Sequence, residues 1–168
     1  MRLCRSEGGA ANQGGLVVAV SISPPILTAL QLPFGAFWDV TTFVMLIWLI
    51  FGRFGCFLHG CCSGRPYKGL LSLYLPDHQG IWCRRIPVQL LEAGFAILIL
   101  VGAAGLWNQR RFPGALFLLA VAAYGAGRAA LHRTRNIQER SGRLNMYQVL
   151  FVTLSGLSLT VFGVLWLR

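Results

Sequence analysis

Carboxylates are scarce in this chain, with five Asp and Glu among 168 residues against 15 Lys and Arg. Charged residues of both signs make up 12%, where soluble domains carry about 25%. That shortage excludes an ordinary soluble domain, and a hydrophobic fraction of 55% points to an integral membrane protein. Lysine is nearly missing as well, since 14 of the 15 bases are arginine, and the net charge is +10. A basic balance usually raises nucleic acid as a partner. Here the arginines sit between apolar runs and no soluble basic domain exists to carry such binding, so anionic phospholipid head groups are the expected counter-charge. The five cysteines (Cys4, Cys56, Cys61, Cys62, Cys83) are odd in number and clustered, which excludes a small secreted disulfide framework. Repeats and low-complexity tracts are absent, and the length suits one domain.

What is present reads as a set of helices. Residues 1–15 form a polar, glycine-rich tail in which Glu7 and the glycines break the order of a signal peptide. The stretch 16–32 is apolar but carries Ser21, Ser23 and Pro24-Pro25, which predicts a kinked or partial membrane helix. Val40 to Leu58 holds one charge, Arg53, in 19 residues, and a bilayer core needs about 20 helical residues, so this run spans. His59 to Arg85, with Pro66, Pro76 and Gly80, is a long extramembrane loop, in which Ser72 to Leu75 suits a short strand or an interfacial segment. Further spans are expected over 86–107, over 113–131 with Pro113 in its first turn, and over 145–167. The predicted fold is all-α, a single transmembrane domain over 16–168 with four or five helices.

Following the sides of these spans brings the polar residues together. Arg53 ends one span, Gln89 and Glu92 begin the next, Arg128 ends the fourth and Gln148 begins the fifth. All lie at one leaflet. Ionisable groups in a membrane are costly, so a cluster at one depth marks a functional site, whereas arginines that merely snorkel would mark helix ends. Two guanidiniums and one carboxylate suit a phosphate, which arginine binds bidentately. Glu92 either neutralises one arginine or positions a hydroxyl. Gln89 suits a bond between helices.

The segment Phe51 to Tyr67, FGRFGCFLHGCCSGRPY, places glycines and cysteines at the end of an apolar run. Cys56, His59, Cys61 and Cys62 have zinc-ligand chemistry. Their spacing matches no common structural site and adjacent cysteines do not readily both ligate, so neither metal nor cofactor is expected. A disulfide from Cys83 to Cys61 or Cys62, a thiol activated by Arg53 or His59, and simple packing beside the glycines remain open.

Gly52-Arg53-Phe54-Gly55-Cys56-Phe57-Leu58-His59-Gly60-Cys61-Cys62-Ser63-Gly64 resembles the signature G-R-x-G-N-F-x-N-x-E-x-x-G of the prolipoprotein diacylglyceryl transferase family. Ile86-Pro87-Val88-Gln89-Leu90-Leu91-Glu92 is similar to that family's H-P-x-Q-L-Y-E, and Tyr124-Gly125-Ala126-Gly127-Arg128 to its Y-G-x-x-R. Asp39 matches an aspartate usually found there, and the last helix with Gln148 is similar too. The resemblance covers roughly residues 35–165. It implies a multi-pass enzyme of the bacterial plasma membrane that moves diacylglyceryl from phosphatidylglycerol to a lipobox cysteine thiol of a preprolipoprotein, releasing glycerol phosphate.

In that reading Arg53 and Arg128 hold the lipid phosphate. Gly52, Gly55, Cys56, Gly60, Cys61, Gly64, Gln89, Glu92, Tyr124 and Gly125 line the substrate. The sequence departs from the pattern with Cys56 for the signature asparagine, Cys61 for its glutamate and Ile86 for a histidine. His132 stands where a carboxylate follows the second arginine. His59 or His132 is then the candidate to assist the attacking thiol. The resemblance puts the signature outside the cytoplasm, whereas positive-inside counting of Arg65, Lys68, Arg84, Arg85, Arg133, Arg135, Arg140 and Arg143 puts it inside. Two alternatives stay open: a catalytically altered relative acting on or binding another phospholipid, and a non-enzymatic membrane protein with a structural or redox cysteine cluster.

Overall fold

The long apolar runs of this chain become its main helices. The computed structural model describes residues 8–70, 72–76, 81–131 and 143–167. Its helices are α1 (Gly8–Ala29), α2 (Phe34–Leu58), α3 (Val88–Leu106), α4 (Ala115–Leu131) and α5 (Arg143–Leu167), with strands β1 (Leu73–Pro76) and β2 (Trp82–Arg85) between α2 and α3. Phe34–Leu58 and Val88–Gln109 are long and apolar enough to cross a membrane, while Val18–Ala29, Ala115–Leu131 and Val152–Leu167 are shorter apolar helices.

Small and polar residues share the interior with a few large apolar ones such as Trp38, Val88 and Leu116. Ala93, Ala96 and Ala103 of α3 and Ala115, Ala120, Ala122 and Gly125 of α4 face inward. Asp39, Thr42, Gln89 and Glu92 are buried with them, while Val44, Trp48, Phe51, Leu98 and Val101 are exposed. Small residues inside let backbones approach and polar residues inside bond across helices, with large apolar side chains facing lipid.

Two carboxylates hold this interior, and Asp39 serves the end away from the cluster of arginines. The first backbone N–H groups of a helix have no partner within it. Asp39 Oδ2 accepts from the Gly114 N–H at 2.8 Å, and Oδ1 accepts from Leu116 at 3.0 Å and Phe117 at 3.1 Å. A carboxylate from α2 thus caps α4, favoured also by the helix dipole.

The approach needs glycines. A Cβ on Gly35 would lie 2.3 Å from the Pro113 carbonyl oxygen, and Gly114 has φ +97°. Pro113 was expected in the first turn of the helix. It occupies instead the second position of a type II turn closed by Ala115 N–H to Phe112 O at 3.3 Å, and the positive φ of Gly114 delays the helix to Ala115. Trp38 packs beside this cap, 4.9 Å from the Phe117 ring, and its indole N–H donates to Ser23 Oγ of α1 at 3.2 Å.

α1 starts at Gly8, inside the stretch read from sequence as a polar tail. It runs through Pro24 and Pro25, where the Thr28 hydroxyl donates to the carbonyls of both prolines.

α2 ends in a Schellman turn. Gly60, at φ +71°, donates its N–H to Phe57 O, and Cys61 donates to Cys56 O, both at 3.1 Å. The loop that follows is more ordered than its prolines and glycines suggested. β1 and β2 form an antiparallel hairpin with Leu73 opposite Arg85 and Pro76 opposite Trp82. Gly64 N–H to Ile86 O and Tyr67 N–H to Arg84 O, both 2.9 Å, lay the chain after the Schellman turn along β2.

Asp39→Ala leaves two buried N–H donors and one part-buried N–H donor unmatched, at about 1–3 kcal/mol for each buried one, so its thermal midpoint in detergent, followed by circular dichroism, falls far below wild type, with Asp39→Asn between; an unchanged midpoint contradicts the cap. Gly60→Ala costs about 1–2 kcal/mol from its left-handed backbone alone. Its Cβ also meets Pro76 Cγ at 2.7 Å, whereas a Cβ on Gly55 meets nothing within 4 Å. Chemical denaturation in micelles therefore ranks Gly60→Ala below Gly55→Ala, and equal stability contradicts the turn.

Candidate functional site

Asp39 and Arg53 are fourteen residues apart on α2, and Gly114 and Arg128 are fourteen apart at α4. At 1.5 Å per residue each pair spans about 21 Å. Since Asp39 joins the starts of the two helices, they run parallel and deliver Arg53 and Arg128 to the same depth. Glu92, in the second turn of the antiparallel α3, lies between them. Its Oε2 is 2.6 Å from Arg53 Nε, and its Oε1 pairs with Arg128 Nη1.

The carboxylate is 2% exposed and the two arginine side chains 15% and 13%. Close approach of α3 and α4 depends on Gly127, where a Cβ would fall 2.1 Å from Phe95 Cε1. Charges taken from water cost several kcal/mol each unless paired. One carboxylate between two guanidiniums leaves the group with a net charge of +1. Each guanidinium presents its N–H donors in a planar fork, a geometry that matches carboxylate and phosphate oxygens. The arrangement therefore suits an oxyanion.

Gln89 stands one turn before Glu92 on the same face of α3 and is 1% exposed. Its Nε2 donates to the carbonyl of Cys61 at 2.5 Å, so the Schellman turn is fastened to the helix that carries Glu92. Gln89 thus joins a helix to a loop. Its Oε1 is buried with no hydrogen-bond partner among the described residues.

The structure brings Arg53, Arg128, Glu92 and Gln89 to one end of the bundle, with Gly60 and Cys61 in the turn beside them. Gly64 is buried where the chain joins β2. Tyr124 lies one helical turn before Arg128 and is half-buried, with Gly125 buried next to it. Gly52 and Gly55 are exposed on α2, and a Cβ on either meets nothing within 4 Å. His59 is the exposed C-cap of α2. His132 and the Gln148 side chain lie outside the described residues.

Cys56, Cys61, Cys62 and Cys83 are thiols, and no disulfide joins any of them. The sulfurs of Cys56, Cys61 and Cys62 lie within 4.8 Å of one another, a convergence the sequence spacing argued against. Sequence reasoning also missed Arg85, 4% exposed at the end of β2. Read as one of several loop bases, it gave no signal apart from preceding the buried run Ile86 to Gln89. Nor did it find the destination of Asp39, since a cap supplied from 75 residues away leaves no local pattern.

A family model described as prolipoprotein diacylglyceryl transferase matches residues 3–166. Two curated relatives, the phosphatidylglycerol–prolipoprotein diacylglyceryl transferases of Trichormus variabilis and of a Nostoc species, are each 26% identical over 180 aligned positions, which cover 92% of this chain. The chain spans about 60% of the length of these relatives. No solved structure matches it. A match along nearly the whole sequence, on residues that converge in space, shows that the chain belongs to the prolipoprotein diacylglyceryl transferase family.

Proposed function

We propose that this protein transfers the diacylglyceryl group of phosphatidylglycerol to the lipobox cysteine thiol of a prolipoprotein, within a plasma-membrane bundle of four or five spans. The observation that carries the reading is the pairing of Arg53 and Arg128, from different helices, on the buried carboxylate of Glu92. In the reaction the acceptor sulfur forms a bond to the glyceryl carbon, the bond from that carbon to the phosphate oxygen breaks, and glycerol phosphate leaves. Negative charge grows on the leaving phosphate, where donors fixed in an apolar site contribute most. Glu92 holds both guanidiniums in place and offsets one of their charges, so they need not reorganise as the phosphate departs.

The buried Oε1 of Gln89 is an acceptor suited to a hydroxyl of the glycerol head group. The acceptor thiol gives up its proton, for which His59 at the exposed end of α2 is the candidate base, with His132 as the other. Tyr124, Gly125, Gly52, Gly55 and Gly64 complete the wall against which the lipid lies. The names of the relatives support the same donor and acceptor.

Expression in a strain depleted of its diacylglyceryl transferase tests this directly. The wild-type chain restores lipoprotein modification. Arg53→Ala and Arg128→Ala each lower transfer by about 100-fold or more, the loss seen when one donor to a developing oxyanion is removed, with membrane insertion intact. Failure of a well-inserted wild-type chain overturns the substrate assignment and leaves a relative that handles another phospholipid. Wild-type behaviour of both variants reduces the arginines to anchors of helix ends. Glu92→Gln keeps the shape but loosens both guanidiniums, so transfer falls while the purified protein still retains anionic lipid; retention lost together with transfer contradicts the positioning role.

A further inference from the structure

We propose that Cys56, Cys61 and Cys62 form a three-thiolate site for a thiophilic metal ion of the zinc class. The three sulfurs lie within 4.8 Å of one another. Zn–S bonds of about 2.3 Å in a tetrahedron place the sulfurs about 3.8 Å apart, so small side-chain rotations complete the site. The spacing looked wrong in sequence because adjacent residues of an extended chain point to opposite sides. Two features of the backbone remove that objection.

The Schellman turn at Gly60 carries Cys61 back over the last turn of α2, where its N–H meets the Cys56 carbonyl at 3.1 Å. Cys62 then adopts φ +62°, which brings its sulfur into the same group as that of Cys61. That conformation costs a side chain about 1–2 kcal/mol and is free for glycine.

The surroundings fit the chemistry. Gln89 fixes the Cys61 carbonyl at 2.5 Å, so the turn is held before any ligand arrives. Cys62 is exposed, which gives an ion a route in from solvent, and Cys56 and Cys61 are half-buried. Arg53 lies one turn before Cys56 on the same face of α2. Three thiolates and a divalent ion sum to a charge of −1, a small net charge beside the basic groups of this end of the bundle. Binding needs no oxidant, because the thiols release their protons to solvent as the metal–sulfur bonds form. Three protein ligands leave a fourth position of a tetrahedral ion to water or another ligand. The site adjoins the lipid site through Gln89, and its test reads metal alone.

The test uses the full chain, purified in detergent, reduced and stripped of metal. Addition of Co2+ produces thiolate-to-cobalt charge-transfer absorption, and Zn2+ displaces it at an equimolar end point. Cys56→Ser, Cys61→Ser and Cys62→Ser each weaken Zn2+ binding by about 100-fold or more, at or beyond the 10–100-fold that loss of a supporting outer partner costs. Cys83→Ser binds as wild type. Zn2+ also protects Cys56, Cys61 and Cys62 of the unmutated protein from maleimide, read by mass spectrometry, while Cys83 labels as before. This second readout does not depend on any variant folding. Absence of charge-transfer bands and of protection overturns the site. So does a Cys83→Ser variant as weak as the other three, or an intact Cys56–Cys61 or Cys61–Cys62 disulfide in air-purified protein that zinc cannot prevent.

Discussion

A single carboxylate shared by two arginines sets the form of this molecule at one end of the bundle. Glu92 is 2% exposed and touches guanidiniums from two other helices. Alone in an apolar bundle any of the three charges is prohibitively costly; together they repay the desolvation only if the geometry is held. The rest of the fold can be read as what holds it. Gly127 lets α4 come close enough to α3, and the Asp39 cap at the far end fixes the offset of α2 against α4. The equal run from Asp39 to Arg53 and from Gly114 to Arg128 then carries that offset to the arginines without adjustment. Structure and proposed chemistry meet here, since the guanidiniums that the buried carboxylate holds are the groups proposed to bind a phosphate.

The opposite end is built on a different principle. Arg110 lies over the Trp107 ring at 3.9 Å and Arg111 over the Trp166 ring at 4.2 Å. Such pairs of aromatic ring and cation suit the boundary between lipid chains and head groups. There the arginines lie on aromatic faces. At the Glu92 end two of them are drawn into the bundle. One residue type thus does two jobs according to whether a carboxylate or a ring is offered to it.

Much of the architecture could be read from the residues. The apolar runs match α3, α4 and α5 to within two residues at each end, whereas α1 and α2 begin eight and six residues before their runs; alternation of sides puts Arg53, Gln89, Glu92 and Arg128 at one end. The pairing itself was not legible, because periodicity gives a depth and a face but not which guanidinium meets which oxygen. Asp39 was visible only as a family position, since its three N–H donors are remote in sequence. The approach of the Cys62 sulfur to those of Cys56 and Cys61 was not legible for a local reason. The argument that neighbouring cysteines diverge assumes ordinary backbone, and a positive φ at a residue other than glycine is not written in the sequence. Arg85 hid among loop bases because its burial is not written in the residues around it.

The account rests on a lipid phosphate lying between Arg53 and Arg128 above Glu92. The measurement that tests it most directly is an experimental structure of the full chain in nanodiscs containing phosphatidylglycerol. The account predicts density for a phosphate within hydrogen-bonding distance of both guanidiniums, with Glu92 still paired to each. Head-group density elsewhere, with no anion against either arginine, would contradict it.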